Sequence, residues 1–128
     1  MSLLIVRLAG VLGAMGVGAG AYGSHMLEAG WQQRGFEMDS NDIQRWQKAW
    51  HSGWVMNMTG AAATLGVASL HQQLKRPTPV AALVGGGTLV FSVSTYLAAY
   101  HADRKYAVGG PIGGSSVTLG WLLLALVP

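Results

Sequence analysis

Charged residues in this chain gather in short clusters, and the stretches between them are long and apolar. After Arg7 no charge appears until Glu28, and further charge-free runs extend from Ala49 to Leu74, Pro77 to Ala102 and Tyr106 to Pro128. A helix rises about 1.5 Å per residue, so roughly 20 apolar residues cross a hydrocarbon core of about 30 Å. All four runs are long enough. The pattern predicts an all-α integral membrane bundle of four transmembrane helices near residues 4–25, 51–70, 79–100 and 111–127, in a single domain over residues 1–128. A soluble fold of this length has too little chain to bury four such helices. Lys75, Arg76 and Pro77 close the second span; Thr78 and Pro79 supply a capping residue and a first-turn proline for the third, and Gly109, Gly110 and Pro111 open the fourth. Arg7 followed by an apolar run also has the look of a signal peptide. It is taken here as a retained first helix.

Between the first two spans, Asn41 and Asp42 mark a helix start, and Trp46, Trp50 and Trp54 recur every four residues. This spacing predicts a short interfacial amphipathic helix running into the second span. Trp46, Trp50, Trp54 and Tyr100 are the residues expected to face lipid or a partner subunit. Four spans put both termini on one side with the Lys75–Arg76 turn. The other side holds all five acidic residues, five of the basic ones and most of the aromatics. Basic residues alone place this loop side in the cytoplasm.

Composition reinforces the membrane expectation. Charged residues make up 10% of the chain, against about 25% in ordinary soluble proteins. No dense basic run suits a nucleic acid, and without cysteine neither disulfides nor thiolate metal sites are available.

In lipid, helices associate by close backbone approach, so small residues mark interfaces. Gly13, Gly16, Gly20 and Gly23 line one face of the first span; Ser92 and Ser94 in the third and Gly113 and Gly114 in the fourth are further packing candidates. The Gly16–Gly23 stretch lacks the lysine and the preceding strand of a phosphate loop, which argues against a nucleotide site. His25, His51 and His101 all fall at the loop-side interface, whereas His71 sits at the other side. Neutral imidazole ligates metals and haem, so these three are the candidate ligands, although no ligand-like spacing accompanies them. Asn57, Thr59, Thr64, Ser92, Ser94 and Thr95 are polar groups inside spans, suited to bonds between helices.

Three segments in order resemble the transmembrane protein 256-like family, small bacterial and mitochondrial membrane proteins also catalogued as a domain of unknown function. They are Gly13-Ala-Met-Gly-Val-Gly-Ala-Gly-Ala-Tyr-Gly-Ser-His25, Trp50-His51, and Phe91-Ser-Val-Ser-Thr-Tyr96 followed by Pro111-Ile-Gly-Gly114 and Leu119-Gly-Trp-Leu-Leu-Leu-Ala125. Ser24 stands where the family usually has alanine, the first loop is longer than usual, and the basic tail is missing. The resemblance implies four helices in a bacterial or mitochondrial inner membrane, with termini facing the cytoplasm or matrix. That orientation opposes the count of basic residues and is the one adopted here. No activity comes with the family.

The leading functional expectation is therefore an accessory or scaffold subunit of a larger membrane complex, a respiratory one being an example, with membrane lipids and other membrane subunits as partners. Neither catalytic residues nor a cofactor is expected. The alternatives are a metal-, haem- or quinone-binding protein using the loop-side histidines, and a small transporter. The latter would ordinarily carry an intramembrane carboxylate or broken, repeated helices, which this sequence lacks.

Overall fold

A computed structural model describes residues 2–128, and among them every regular element is helical. Helix α1 spans Ser2–His25, the short α2 Leu27–Gln33 and the long α3 Ser40–Ser69. Next come α4 (Pro77–Ala81), a π-helical turn (Ala82–Gly86) and α5 (Gly87–His101), which together make a continuous rod from Pro77 to His101. A 3-10 turn at Arg104–Val108 leads into α6, Gly109–Leu126.

Three helical stretches are long and apolar enough to cross a membrane: Leu3–His25, Pro77–His101 and Arg104–Leu126. Large aliphatic side chains project outward from them, among them Leu4, Val11, Val17, Leu97, Leu119 and Leu126. In water such faces would be costly; toward hydrocarbon they are the expected solvent contact, which is consistent with a membrane protein. The second expected span, residues 51–70, falls in α3 up to Ser69 with Leu70 as its C-cap, and the polar first half of α3 makes it the least apolar of the long helices.

Several local expectations change. The expected interfacial helix and the second span have no boundary between them: the Trp46–Trp54 stretch belongs to the uninterrupted α3, because no glycine pair or proline breaks its hydrogen-bond ladder before Ser69. Its N-cap is Asp39 rather than Asn41, with the carboxylate accepting from the Asp42 amide at 2.8 Å. The rod begins at Pro77, without a side-chain cap from Thr78. The loop after the first helix contains α2, whose pairing of Leu27 with Trp31 one turn apart buries both residues.

Packing runs in a row. Helix α1 lies along α3, α3 along α5, and α5 with the π turn along α6, while α1 and α6 make no extended contact. Two apolar clusters close the ends. Ile5, Val67, Val80, Ala81 and Val84 form one near the termini; Leu27, Trp31, Trp46, Ala98 and Ala99 form the other at the loop end. Between them lies a buried polar layer of Asn57, Thr64, Thr88 and Ser92, all at 0% exposure. Three of these side chains have hydrogen-bond partners. Ser92 donates to Gly53 O at 3.3 Å, Thr64 to Gly60 O at 2.7 Å, and Asn57 bonds to Tyr96. The Thr88 hydroxyl has no such partner and packs onto Gly60.

Candidate functional site

The loop end is assembled on one repeated device, a side-chain donor aimed at a helix carbonyl. Trp50 Nε1 donates to Ala19 O at 2.9 Å, and Trp54 Nε1 to Gly16 O at 3.0 Å. One turn deeper, the Asn57 amide takes the orientation its neighbours require. It donates to Leu12 O at 2.7 Å and accepts from Gly16 N at 3.1 Å and from the Tyr96 hydroxyl at 2.9 Å. A helical carbonyl keeps a second lone pair after accepting from the amide four residues on. It is reached from the side most readily where the residue four positions on has no side chain in the way. The residues four positions beyond Leu12, Gly16 and Ala19 are Gly16, Gly20 and Gly23. A Cβ on Gly20 would stand 2.8 Å from Trp54 Nε1, and one on Gly23 would strike the Trp50 indole. The glycine stripe of α1 is thus a set of windows onto its own carbonyls.

The second part is a latch from α2 onto the end of α5. Trp31, 1% exposed, donates from Nε1 to Ala99 O at 2.9 Å and lies 3.2 Å from Tyr100 O, while Arg34 donates to Tyr100 O at 2.7 Å. These are last-turn carbonyls, at the end of the helix that carries its partial negative charge, and Ala99 O also accepts from the Ala102 amide at 3.2 Å. Arg34 also stands 3.9 Å from the centre of the Tyr100 ring. Ala102, in the left-handed conformation at φ 50°, ends the helix there.

Among the expected packing residues, Gly16, Gly20 and Gly23 meet α3, whereas Gly13 has nothing within contact distance of an added Cβ. Ser92 bonds across to α3, Ser94 packs on Gly109, and Gly113 lies against the backbone of Gly87 and Phe91. Gly114 approaches only the edge of Phe91, at 3.9 Å. Of the four residues expected to face lipid or a partner, only Tyr100 is exposed. Trp46 is buried in the loop-end cluster, and Trp50 and Trp54 are half-buried against α1. A four-residue repeat advances about 40° per step on a helix with 3.6 residues per turn, which turns Trp46 toward a different neighbour from Trp50 and Trp54.

The three loop-side histidines are not brought together. His51 lies on Trp54, with ring centres 5.6 Å apart, and His101 stacks on Tyr106 at 4.4 Å, while His25 is exposed at the end of α1. Among the described residues no cluster of three His, Asp or Glu side chains could hold a metal ion. What the loop end offers a ligand is clefts. One of about 420 Å³ runs between α1 and α3 past Gly20, Leu27, Trp50 and Trp54; another of about 610 Å³ lies by Asp42, Arg45, His101 and Arg104. Trp31 and Arg34 were not singled out from the sequence. The Leu27–Trp31 spacing was the available signal, obscured by the charged and amide residues around it.

No solved structure matches the chain. A family model described as a protein of unknown function matches residues 19–114, from the upper glycine windows of α1 through the latch to the first turns of α6. This chain belongs to that family, DUF423.

Proposed function

We propose that this chain is a four-pass membrane protein serving as an accessory or scaffold subunit of a larger membrane complex. The observation that carries this reading is the open row of helices. The outer face of α1 presents Gly10, Ala14, Gly18 and Ala21, all exposed, and a Cβ on Gly10 or Gly18 would meet nothing. A face of small residues admits a helix from another subunit at close backbone distance. At the far end of the row, α6 exposes Ile112, Leu119 and Trp121. The charge-free stretch Ala49–Leu74 supports α3 as the fourth span. The ordered Phe-Ser-x-Ser-x-Tyr, Pro-x-Gly-Gly and Gly-Trp motifs support kinship with the transmembrane protein 256-like group, and with it an inner membrane and termini on the cytoplasmic or matrix side. Gentle solubilisation followed by a native gel tests the role: co-migration with partner subunits is expected, and migration only as a free monomer removes the proposal.

A further inference from the structure

At the loop end of the α1–α3 seam, three depressions run into one another. The most enclosed, about 420 Å³, is floored by Gly20 and Gly23 and walled by Leu27, Trp50 and Trp54. Through Ser24 and Gln47 it opens into a polar depression of about 350 Å³ that reaches Glu28 and Gln32. On the other side His51 and Gln47 continue into a shallow groove bounded by Lys48. The inner hollow is apolar for a specific reason: the indole N–H groups of Trp50 and Trp54 are already bonded to α1 carbonyls, so the rings offer it carbon. Its rim carries opposite charges at its two ends, the Glu28 carboxylate and the Lys48 ammonium, and neither is in an ion pair among the described residues.

A soluble zwitterion would leave the hollow unfilled, and an anionic headgroup would meet Glu28. We propose that this furrow binds one amine-bearing zwitterionic phospholipid, of the phosphatidylethanolamine class. The ammonium donates to Glu28 and Gln32, and the phosphate lies toward Lys48 and His51. Ser24 and Gln47 offer hydrogen bonds between them, and an acyl chain enters the hollow over Gly20. A choline head, having no N–H, cannot make the first of these bonds. The site needs the membrane but not the scaffold role, so a lone monomer on the native gel overturns the latter without touching this assignment.

The test reconstitutes the chain in vesicles of equal parts phosphatidylethanolamine, phosphatidylcholine and phosphatidylglycerol, extracts it in mild detergent and reads retained lipid by native mass spectrometry. Phosphatidylethanolamine should be retained over phosphatidylcholine by about fivefold, the scale of one net hydrogen bond. Glu28→Ala, which removes the acceptor, should bring that ratio toward parity while Glu28→Asp preserves it. Lys48→Gln should lower retention of both lipids, and soluble glycerophosphoethanolamine should displace neither. Equal retention of all three lipids, a preference for phosphatidylglycerol, a preference unchanged by Glu28→Ala, indifference to Lys48→Gln, or displacement by the soluble head would each overturn the assignment. Both substituted residues are exposed, and unchanged circular dichroism checks that the variants remain folded.

Discussion

The seam between α1 and α3 and the seam between α5 and α6 are both lined with glycine, yet the glycines do different things. In the first, the missing Cβ admits a side-chain head: Trp50, Trp54 and Asn57 reach through to carbonyls of α1. In the second, one such reach remains, Ser116 Oγ to Leu83 O at 2.8 Å, but backbone mostly meets backbone. A Cβ on Gly113 would stand 2.5 Å from Phe91 N and 2.6 Å from Gly87 O, and one on Gly87 would stand 2.7 Å from Gly113 O. A Cβ on Gly120 would first meet the Val84 side chain, at 2.6 Å, with Val84 N behind it at 3.1 Å. In lipid, water exclusion does not drive helices together, so close packing and hydrogen bonds must hold the seams. One seam uses mainly hydrogen bonds and the other mainly close approach. A side chain can be trimmed to accept a new methyl group; a facing backbone cannot.

That difference sets the order of expected losses. Gly113→Ala should be the most damaging, about 3 kcal/mol at the upper end for overpacking, measured as a fall in the midpoint of detergent-induced unfolding. No shortening of a neighbouring side chain should restore it. Gly23→Ala should lower stability by about 2 kcal/mol, and Trp50→Phe in the same chain should recover part of the loss, because the obstacle is an indole. A double-mutant cycle measures that coupling, and strict additivity would erase the contrast between the seams. Asn57→Ala should cost about 1.5 kcal/mol, near the upper range for interhelical hydrogen bonds in membranes, since it strips the partner from the Tyr96 hydroxyl. Gly13→Ala should have the smallest effect, within about 0.5 kcal/mol and on the stabilising side, because alanine favours helix over glycine and the position is open.

How much of this was legible beforehand follows from the kind of signal each feature leaves. The gaps between charges located the long helices because crossing a membrane is a constraint of length and polarity along the chain. Lys75, Arg76 and Pro77 marked a real break for the same reason. Helix α2 escaped because Glu28, Gln32 and Gln33 made its stretch look like loop, although Leu27 and Trp31 are buried. That the Trp50 and Trp54 indoles bond to α1 was not legible, because a tryptophan near a membrane interface suits a lipid belt as well as a carbonyl window. Spacing every four residues fixes which residues are close on one helix, and it cannot name the helix that faces them. His25, His51 and His101 fall toward the same end of the helices, a one-dimensional property, yet they sit apart around the fold.

The sequence by itself determined the helical class, the positions of the long apolar helices and the existence of a glycine face on α1. These depend on each residue's own polarity and size, summed along the chain. Only the tertiary structure decided that Gly16, Gly20 and Gly23 open onto carbonyls while Gly13 faces away. The same holds for Trp31 and Arg34 closing the end of α5, and for Glu28 and Lys48 flanking one furrow. Each of these depends on which helix lies opposite and at what rotation, and that is set by contacts between residues distant in the chain.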